Sequence, residues 1–414
     1  MLEDNQAKNV RSKVNIPKLL NPIRFALVGG GDASFMGDVH RTIARLDGLW
    51  ELSAGAFSSD PQKSKQFGLE LGLSKGRCYG SWQELLEKES RMDPRIKSQA
   101  IIVITPNNTH YEIASEAMKA GFHVLLEKPA TRTVQEALRL RDDFQKALET
   151  YPNIQFGLTH NYVGNTMVML MRYIIGNGLI GDITSWRGSY LQSWLIDLIE
   201  GENKQAKWRT NKDIAGSGAL GDIGSHLYHI FRFLMPKMRI TKILADLSTF
   251  VEGRGVEDHG SILVHTKCGS RGNLEISQVA AGHANDLKIE INGTLGSLSW
   301  RQEDPGNLFW SHKNGNTERI SAGKGMPSLP PEIDAMCRLP GGHPEGYFEA
   351  YGNLYRIFAW QIAAADGIIG FPKELEAFRV PDINCAAQEM VFIASCLDSA
   401  SGGHWSVAHW ILED

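Results

Sequence analysis

The feature that most constrains this chain is a cluster of glycines, Gly29-Gly30-Gly31, set between a short apolar run and a helical repeat. Ile23 to Val28 reads as a strand, and Val39, Ile43 and Leu46 then recur at helical spacing. A strand that turns through glycines into a helix lets backbone N–H groups approach an anion, and the helix start favours its charge. The alternation continues beyond the glycines. Apolar runs at Leu52 to Phe57 and Ala100 to Ile104 come next, then a helical stretch from Tyr111 that stops at Gly121. A run over Phe122 to Leu126 follows, and Val134 to Leu148 places Ala137, Leu140, Phe144 and Ala147 on one helical face. Strands alternating with helices predict crossover connections and a parallel sheet.

Past about Thr150 the pattern changes. A short strand is expected over Asn153 to Leu158, and then strands at Thr184 to Tyr190, Lys242 to Phe250, Ser261 to Thr266, Asn273 to Ala280 and Leu287 to Asn292. These succeed one another without long helices between them, which predicts antiparallel pairing. Asn292-Gly293 and Asn314-Gly315 mark tight connections that need φ > 0. Pro327 to Pro344 reads as an irregular loop, and Ile383 to Ser399 as a last helix packing back onto the body. A chain of 414 residues exceeds what one core organises, since cores stop growing near ~250–300 residues. The expected division is a flexible arm over 1–22, a parallel-sheet α/β domain over 23–150 and an α+β domain over 151–414.

Composition narrows the partners. A formal net charge of -4 with 22% charged residues gives no basic surface for nucleic acid. The cysteines at 78, 268, 337, 385 and 396 are odd in number and form no Cys-x-x-Cys pair, so neither a disulfide framework nor a zinc site is expected. Glu3, Asp4, Lys8, Arg11 and Lys13 break any secretory apolar stretch, and no later run is apolar enough to span a bilayer. A cytoplasmic location and no membrane partner are the expectation.

The polar residues with chemical potential fall at the expected strand ends. Gly29 and Gly31 begin a G-x-G-x-x-G spacing whose third glycine arrives late, at Gly37, with Ser34 and Phe35 at the helix start. A glycine turn without ligand is the bland alternative. Where an acidic residue would bind the 2′-hydroxyl of NAD, the second strand ends in Ser58 and Ser59, with Asp60 and Lys63 beyond. Hydroxyls beside a lysine also accept a 2′-phosphate, so both NAD and NADP are admitted. Thr105-Pro106-Asn107-Asn108-Thr109-His110 follows the third strand, and Glu127-Lys128-Pro129 the fourth, at the sheet edge where open α/β folds bind ligands. Proline after Lys128 disfavours helix and holds it extended at that edge.

The segment Gly221-Asp222-Ile223-Gly224-Ser225-His226-Leu227-Tyr228-His229 opens a helix whose apolar face is Ile223, Leu227, Ile230 and Leu234. Asp222 and His226, four apart, share the opposite face: either a carboxylate orienting a proton-transferring imidazole or an ordinary solvated surface. Asp222, His226 and His229 match no recognised zinc spacing, so no metal is expected. His160, Asn161 and Tyr162 follow the Asn153 to Leu158 strand and point to the same cleft. Trp186, Trp194 and Trp208 read as packing residues, with stacking on a sugar ring as the alternative.

Taken together, the glycine turn over 29–37, Thr105-Pro106-Asn107 with His110, Glu127-Lys128-Pro129, Trp208-Arg209 and Gly221-Asp222-Ile223-Gly224-Ser225-His226 resemble the glucose-fructose oxidoreductase and inositol dehydrogenase family, Gfo/Idh/MocA. The resemblance runs from about Ile23 to the chain end. It implies a Rossmann domain followed by a domain with a large, mainly antiparallel sheet, whose exposed face often forms the interface of a homodimer or homotetramer. It implies NAD(P)-dependent oxidation of a hydroxyl on a sugar, inositol or related polyol, with Lys128, Asp222 and His226 matching the catalytic set. In that set His226 is the general base, Lys128 stabilises the developing alkoxide, and Asp222 holds substrate and histidine in register. His160, Asn161, Tyr162, Trp208, Arg209 and His229 are then expected around the substrate. Two departures stand out: Ala33 lies near the usual place of the third glycine, and His229 stands where many members carry aspartate. A glycosidase or epimerase retaining NAD, and a non-catalytic sensor, are the competing readings.

Overall fold

The computed structural model describes residues 14–411. Among these residues two sheets form, one of five strands and one of nine. The first comprises β1 (Ile23–Gly29), β2 (Trp50–Ala56), β3 (Ala100–Ile104), β4 (His123–Leu126) and β5 (Phe156–Leu158), all parallel, in the order β2-β1-β3-β4-β5. Its helices are α1 (Phe35–Leu46), α2 (Pro61–Glu70), α3 (Trp82–Ser90), α4 (His110–Lys119) and α5 (Val134–Thr150). Phe25 and Leu27 of β1 join a core with Val39 and Ile43 of α1, whereas Ala26 and Val28 join one with Ile113 of α4 and Leu140 of α5. Burial on both faces is why these strands read as unbroken apolar runs. The strand order reverses between β1 and β3, which opens a crevice at their carboxyl ends.

The second sheet comprises β6 (Ile183–Leu191), β7 (Ile240–Ser248), β8 (His259–Thr266), β9 (Arg271–Ser277), β10 (Asp286–Gly293), β11 (Gly296–Arg301), β12 (Asn307–His312), β13 (Thr317–Ser321) and β14 (Ser406–Val407). Its order is β13-β12-β11-β10-β6-β9-β8-β7-β14, and every neighbouring pair is antiparallel except β6 with β9. One face is apolar: Ile262 and Val264 of β8 and Leu274 and Ile276 of β9 are buried, while Ser261, before the first pair, and Glu275, within the second, are exposed.

The remaining helices are α6 (Thr166–Gly176), α7 (Lys204–Arg209), α8 (Lys212–Ala215), α9 (Ser225–Leu234), α10 (Pro331–Asp334), α11 (Tyr347–Ala365) and α12 (Ile383–Gly402). Helices α6, α9 and α12 pack on the second sheet, and α11 and α12 also reach back to α1 and α5. Asp47, just after α1, pairs with Arg338 at 2.5 Å and Arg356 at 2.6 Å, tying α1 to the α11 region. No helix among the described residues is long and apolar enough to cross a membrane.

Several expectations need correction. The first sheet takes its last strand from Phe156–Leu158, so the boundary placed at residue 150 falls before that sheet is complete. Of the arm over 1–22, residues 1–13 lie outside the described residues; Val14, Ile16 and Leu19 pack against the main core, which removes their apolar side chains from water. Gly315 has φ +91, as its turn requires, but Gly293 is the last residue of β10 and has no positive φ. A Cβ there would lie 2.1 Å from the Ile180 carbonyl oxygen, so close approach demands that glycine. The loop over 327–344 contains the short helix α10.

Candidate active site

The glycine turn does two jobs. Gly29 and Gly30 adopt φ +92 and +69, and Ala33 follows at +56, so the chain reverses direction sharply before Ser34 caps α1 by accepting the Gly37 N–H at 3.1 Å. The late glycine is a packing residue: a Cβ on Gly37 would meet the Gly30 carbonyl oxygen at 2.3 Å. It lets the helix start sit against the turn, the role of the third glycine in a dinucleotide fingerprint. Phe35 is exposed on the first turn of α1. Beyond β2, Asp60 caps α2 through one oxygen, accepting from Gln62 N–H at 2.9 Å and Lys63 N–H at 3.1 Å. Ser58 Oγ accepts the Asp60 N–H, and the exposed Ser59 and Lys63 line the same edge.

After β3 the predicted residues divide. Thr105 and Pro106 keep exposed surface, whereas Asn107 is buried and donates from Nδ2 to the Ala215 carbonyl at 3.0 Å. His110 is fully buried, its ring nitrogens 3.0 and 2.8 Å from the Pro129 and Thr105 carbonyl oxygens. It braces two strand ends from behind and offers no surface to a cofactor, as desolvation, pushing its pKa down, also reflects. Glu127 is likewise turned inward. Its Oε1 accepts from Thr159 Oγ1, from Tyr351 at 3.1 Å and from His40 Nε2 at 3.0 Å, and its Oε2 accepts the Lys128 N–H at 3.2 Å. Burial opposes ionisation here, but His40, Lys128 and the hydroxyl donors outweigh it and bring the pKa down to about 2.

Lys128 points the other way. Its Nζ donates to the Asp222 carbonyl at 2.7 Å and to Asp222 Oδ1 at 2.9 Å. Asp222 Oδ2 accepts from Gln278 Nε2 at 2.8 Å and lies 3.4 Å from Arg209 Nε. Burial works against this carboxylate, yet the charges of Lys128 and Arg209 hold it well below the ordinary range. The Arg209 guanidinium stacks 4.2 Å over the Trp208 ring, which carries the Trp208-Arg209 pair to the same carboxylate.

The expected Asp222–His226 contact does not form among the described residues. Leu220–Gly224 is a π turn, in which the Ser225 N–H reaches back five residues to Leu220. Such a turn rotates i+4 off the line above i, so Asp222 faces Lys128 while His226 faces elsewhere. His226 Nδ1 lies 3.3 Å from His160 Nδ1, and its ring stands edge-on to Tyr162 at 4.9 Å. Tyr162 Oη in turn lies 2.7 Å from Tyr190 Oη and accepts from Asn285 Nδ2 at 3.2 Å. Desolvation, and then the Lys128 charge, hold the His226 pKa well below its usual value.

Behind His226 the side chains are buried. His160 and His229 stack at 4.2 Å with ring planes 4° apart, and His160 Nε2 is 2.5 Å from Glu389 Oε2 at an angle that makes no hydrogen bond. His229 Nδ1 lies 3.9 Å from the same oxygen. Burial, then the Lys128 charge, bring the His160 pKa down to about 3, and burial pushes that of Glu389 well up.

The comparisons with known proteins bear on the family and the fold. Residues 23–151 match the model of the oxidoreductase family with an NAD-binding Rossmann fold, and 168–299 match the GFO/IDH/MocA C-terminal domain. The chain belongs to the Gfo/Idh/MocA oxidoreductases. It is 35% identical to the uncharacterized oxidoreductase YfiI of Bacillus subtilis over 92% of this chain and 95% of that one. It is 30% identical to the levoglucosan dehydrogenase of Pseudarthrobacter phenanthrenivorans over 68% of this chain and 74% of that one. A crystal structure of an inositol dehydrogenase homolog from Azotobacter vinelandii, complexed with NAD+, superposes with a TM-score of 0.87 at 33% identity, covering 94% of this chain and 98% of that one.

In this Gfo/Idh/MocA member the structure brings Lys128, Asp222, Arg209 and Trp208 together, with His226 flanked by Tyr162. His160 and His229 stack behind His226, and they and Asn161 are exposed by no more than 3%. Gln278, Asn285 and Tyr190 went unread in the sequence because each is a single polar position at or near a strand end, outside any motif. Glu389 had a signal: a carboxylate inside the apolar run from Ala386 to Cys396.

Proposed function

We propose that this protein oxidises a secondary hydroxyl of a cyclic polyol or sugar, with Lys128, Asp222 and His226 as its reactive groups. The observation that carries this reading is one ammonium, one ionised carboxylate and one neutral imidazole at the carboxyl edge of a nucleotide-type sheet. The glycine turn fits a dinucleotide, since Gly31 and Gly37 let the turn pack closely at the start of α1, where a Cβ would meet the Phe57 carbonyl oxygen at 2.7 Å or that of Gly30 at 2.3 Å. Bound NAD(P)+ supplies a hydride acceptor. Gly29, Gly31, Ser34 and Phe35 would hold its pyrophosphate side, and Ser58, Ser59 and Lys63 its adenosine ribose, with or without a 2′-phosphate. Lys128 Nζ binds the substrate oxygen and stabilises it as it becomes anionic. Asp222 keeps that ammonium in place, and Arg209 and Gln278 keep Asp222 in place. His226, uncharged near neutral pH, takes the hydroxyl proton.

Relatives named levoglucosan dehydrogenase and scyllo-inositol 2-dehydrogenase (NADP(+)), and an inositol dehydrogenase homolog complexed with NADH and myo-inositol, support the substrate class. Purified protein is titrated with NADH and NADPH and then screened with myo-inositol, scyllo-inositol and levoglucosan for absorbance at 340 nm. Lys128→Met is expected to lower turnover roughly 10²- to 10⁴-fold in protein that still folds and binds NADH; an unaltered rate would remove Lys128 from the reaction. The chain is also read as a cytoplasmic homo-oligomer, on the strength of five unpaired cysteines and the outer face of the second sheet, which carries Arg187, Glu290 and Phe309. Light scattering on the purified protein tests the assembly.

A further inference from the structure

The reaction proposed above leaves unused the three buried groups lined up behind His226. His226 Nδ1 meets His160 Nδ1 at 3.3 Å, and the other nitrogen of His160 meets Glu389 Oε2 at 2.5 Å. The imidazole of His160 thus spans the gap between the base and a carboxyl that is 0% exposed. We propose that His160 and Glu389 form a proton relay behind His226, which stores the substrate's hydroxyl proton on Glu389 during oxidation and returns it during reduction. This rests on the function proposed above.

A shared metal ion is the rival explanation, because His160 Nε2, His229 Nδ1 and both oxygens of Glu389 are buried without hydrogen-bond partners. The stacked rings argue against it. An imidazole nitrogen's lone pair lies in its own ring plane, and two nearly parallel planes 4° apart offer no common point for an ion near both nitrogens. A proton needs one donor and one acceptor at a time, and the 2.5 Å approach of His160 Nε2 to Glu389 Oε2 becomes a hydrogen bond once the carboxyl turns into the plane of the His160 ring.

The relay also sets the tautomer of His226. With that pair aligned an ionised Glu389 can only accept, so the relay requires the His160 proton on Nε2, and His160 Nδ1 then accepts from His226 Nδ1–H. That leaves the lone pair of His226 on Nε2, which has no protein partner among the described residues. When the alcohol is oxidised, its C–H electron pair leaves as hydride to the nicotinamide, its O–H proton binds His226 Nε2 and the C=O double bond forms. The Nδ1 proton of His226 moves to His160 Nδ1, and the Nε2 proton of His160 moves to Glu389. Alcohol, NAD(P)+ and carboxylate become carbonyl compound, NAD(P)H and carboxylic acid. Every tautomer is then inverted, and His226 Nε2–H is poised to donate in the reverse direction.

The electrostatics favour this destination. Desolvation and the nearby Lys128 charge disfavour a cationic His226 or His160, whereas desolvation favours a neutral Glu389. The titratable or charged groups facing Glu389 among the described residues are His160, His229 and Tyr228, with Lys128 farther off opposing its protonation.

The test uses Glu389→Gln, Glu389→Asp and His160→Phe in the full chain, with myo-inositol and levoglucosan as probes and NAD+ and NADP+ as acceptors. Wild-type oxidation is expected to rise with pH on a limb above the ordinary carboxylate range, and the reverse reaction to fall on the same limb. In Glu389→Gln and His160→Phe that limb disappears and kcat drops about 100-fold with KM nearly unchanged; Glu389→Asp keeps a displaced limb. Infrared spectra of the resting protein supply a readout that needs no turnover: a protonated-carboxyl stretch that titrates in wild type and is missing from Glu389→Gln. Should neither probe be oxidised, the proposed function falls while the infrared titration still judges Glu389. Retention of the limb in Glu389→Gln, absence of the carboxyl band from wild type, or a stoichiometric zinc lost only in Glu389→Gln would overturn the relay.

Discussion

Two buried glutamates, Glu127 and Glu389, lie on either side of the reactive groups and have opposite surroundings. Glu127 Oε1 collects donors from His40, Thr159 and Tyr351, and its partner oxygen takes the Lys128 N–H, so ionisation is sustained in a dry site. Glu389 has no hydrogen bond to either oxygen among the described residues. Burial acts on both in the same sense, and for Glu127 the donors together with the His40 and Lys128 charges reverse the outcome: a pKa down at about 2 for Glu127, well up for Glu389. A carboxyl ringed by donors becomes a fixed anion that shapes the strand end carrying Lys128. A carboxyl without them remains able to gain and lose a proton. The contrast teaches that burial alone predicts neither charge state nor role.

The largest effect expected from breaking this contrast follows Glu127→Ala. It strands the His40, Thr159 and Tyr351 donors in the core, and urea unfolding is expected to lose about 3–5 kcal/mol of stability. An effect below about 1 kcal/mol would mean that Glu127 is not the anchor its contacts suggest. Acid comes next. The pKa of Glu127 falls from 4.5 to about 2 on folding, so its stabilisation is present above 4.5 and fades as the pH drops toward 2. That amounts to roughly 3 kcal/mol, measurable as the part of acid destabilisation missing from Glu127→Gln.

Tyr351→Phe removes one donor only and is expected to cost about 1.5–3 kcal/mol, with a smaller acid-dependent part. The subtlest prediction concerns Glu389, whose folded-state pKa is raised. Its effect has the opposite sign: native stability declines as pH rises through the unfolded value of 4.5 toward the folded one. Glu389→Gln is therefore expected to melt higher than wild type at pH 8 and to match it near pH 4. A lower melting temperature at pH 8 would place Glu389 among the fixed anions and erase the comparison.

The parts of this molecule legible in the sequence were those where burial follows a simple period. β1, β3 and β4 read as apolar runs because both faces of the first sheet are covered, and α5 showed its stripe because its outer face meets water. The 19-residue helix α11 passed unread because Ala350 to Ala363 is buried almost all round, which leaves no stripe. Short strands such as β13, with one buried residue in five, carry too little alternation. Among the site residues, Lys128 and Asp222 were legible from their motifs. Helical spacing alone paired Asp222 with His226, and the π turn over Leu220–Gly224 undoes that pairing.

By itself the sequence determined the chemistry available: the glycine turn, the lysine after β4, and the aspartate and histidines near α9, together with the family they mark. These follow from local rules, since a turn needs its glycines and a strand end exposes its next side chain. Tertiary structure alone decided which donors meet which acceptors. Asp222 could lean on His226 or on Lys128, and Glu127 and Glu389 are the same residue type. Only the packing of α12, α9 and the segment after β5 against one another withholds hydrogen-bond donors from one carboxyl, while the β4 edge supplies them to the other. Desolvation depends on everything within several ångströms, and that neighbourhood is assembled from segments hundreds of residues apart.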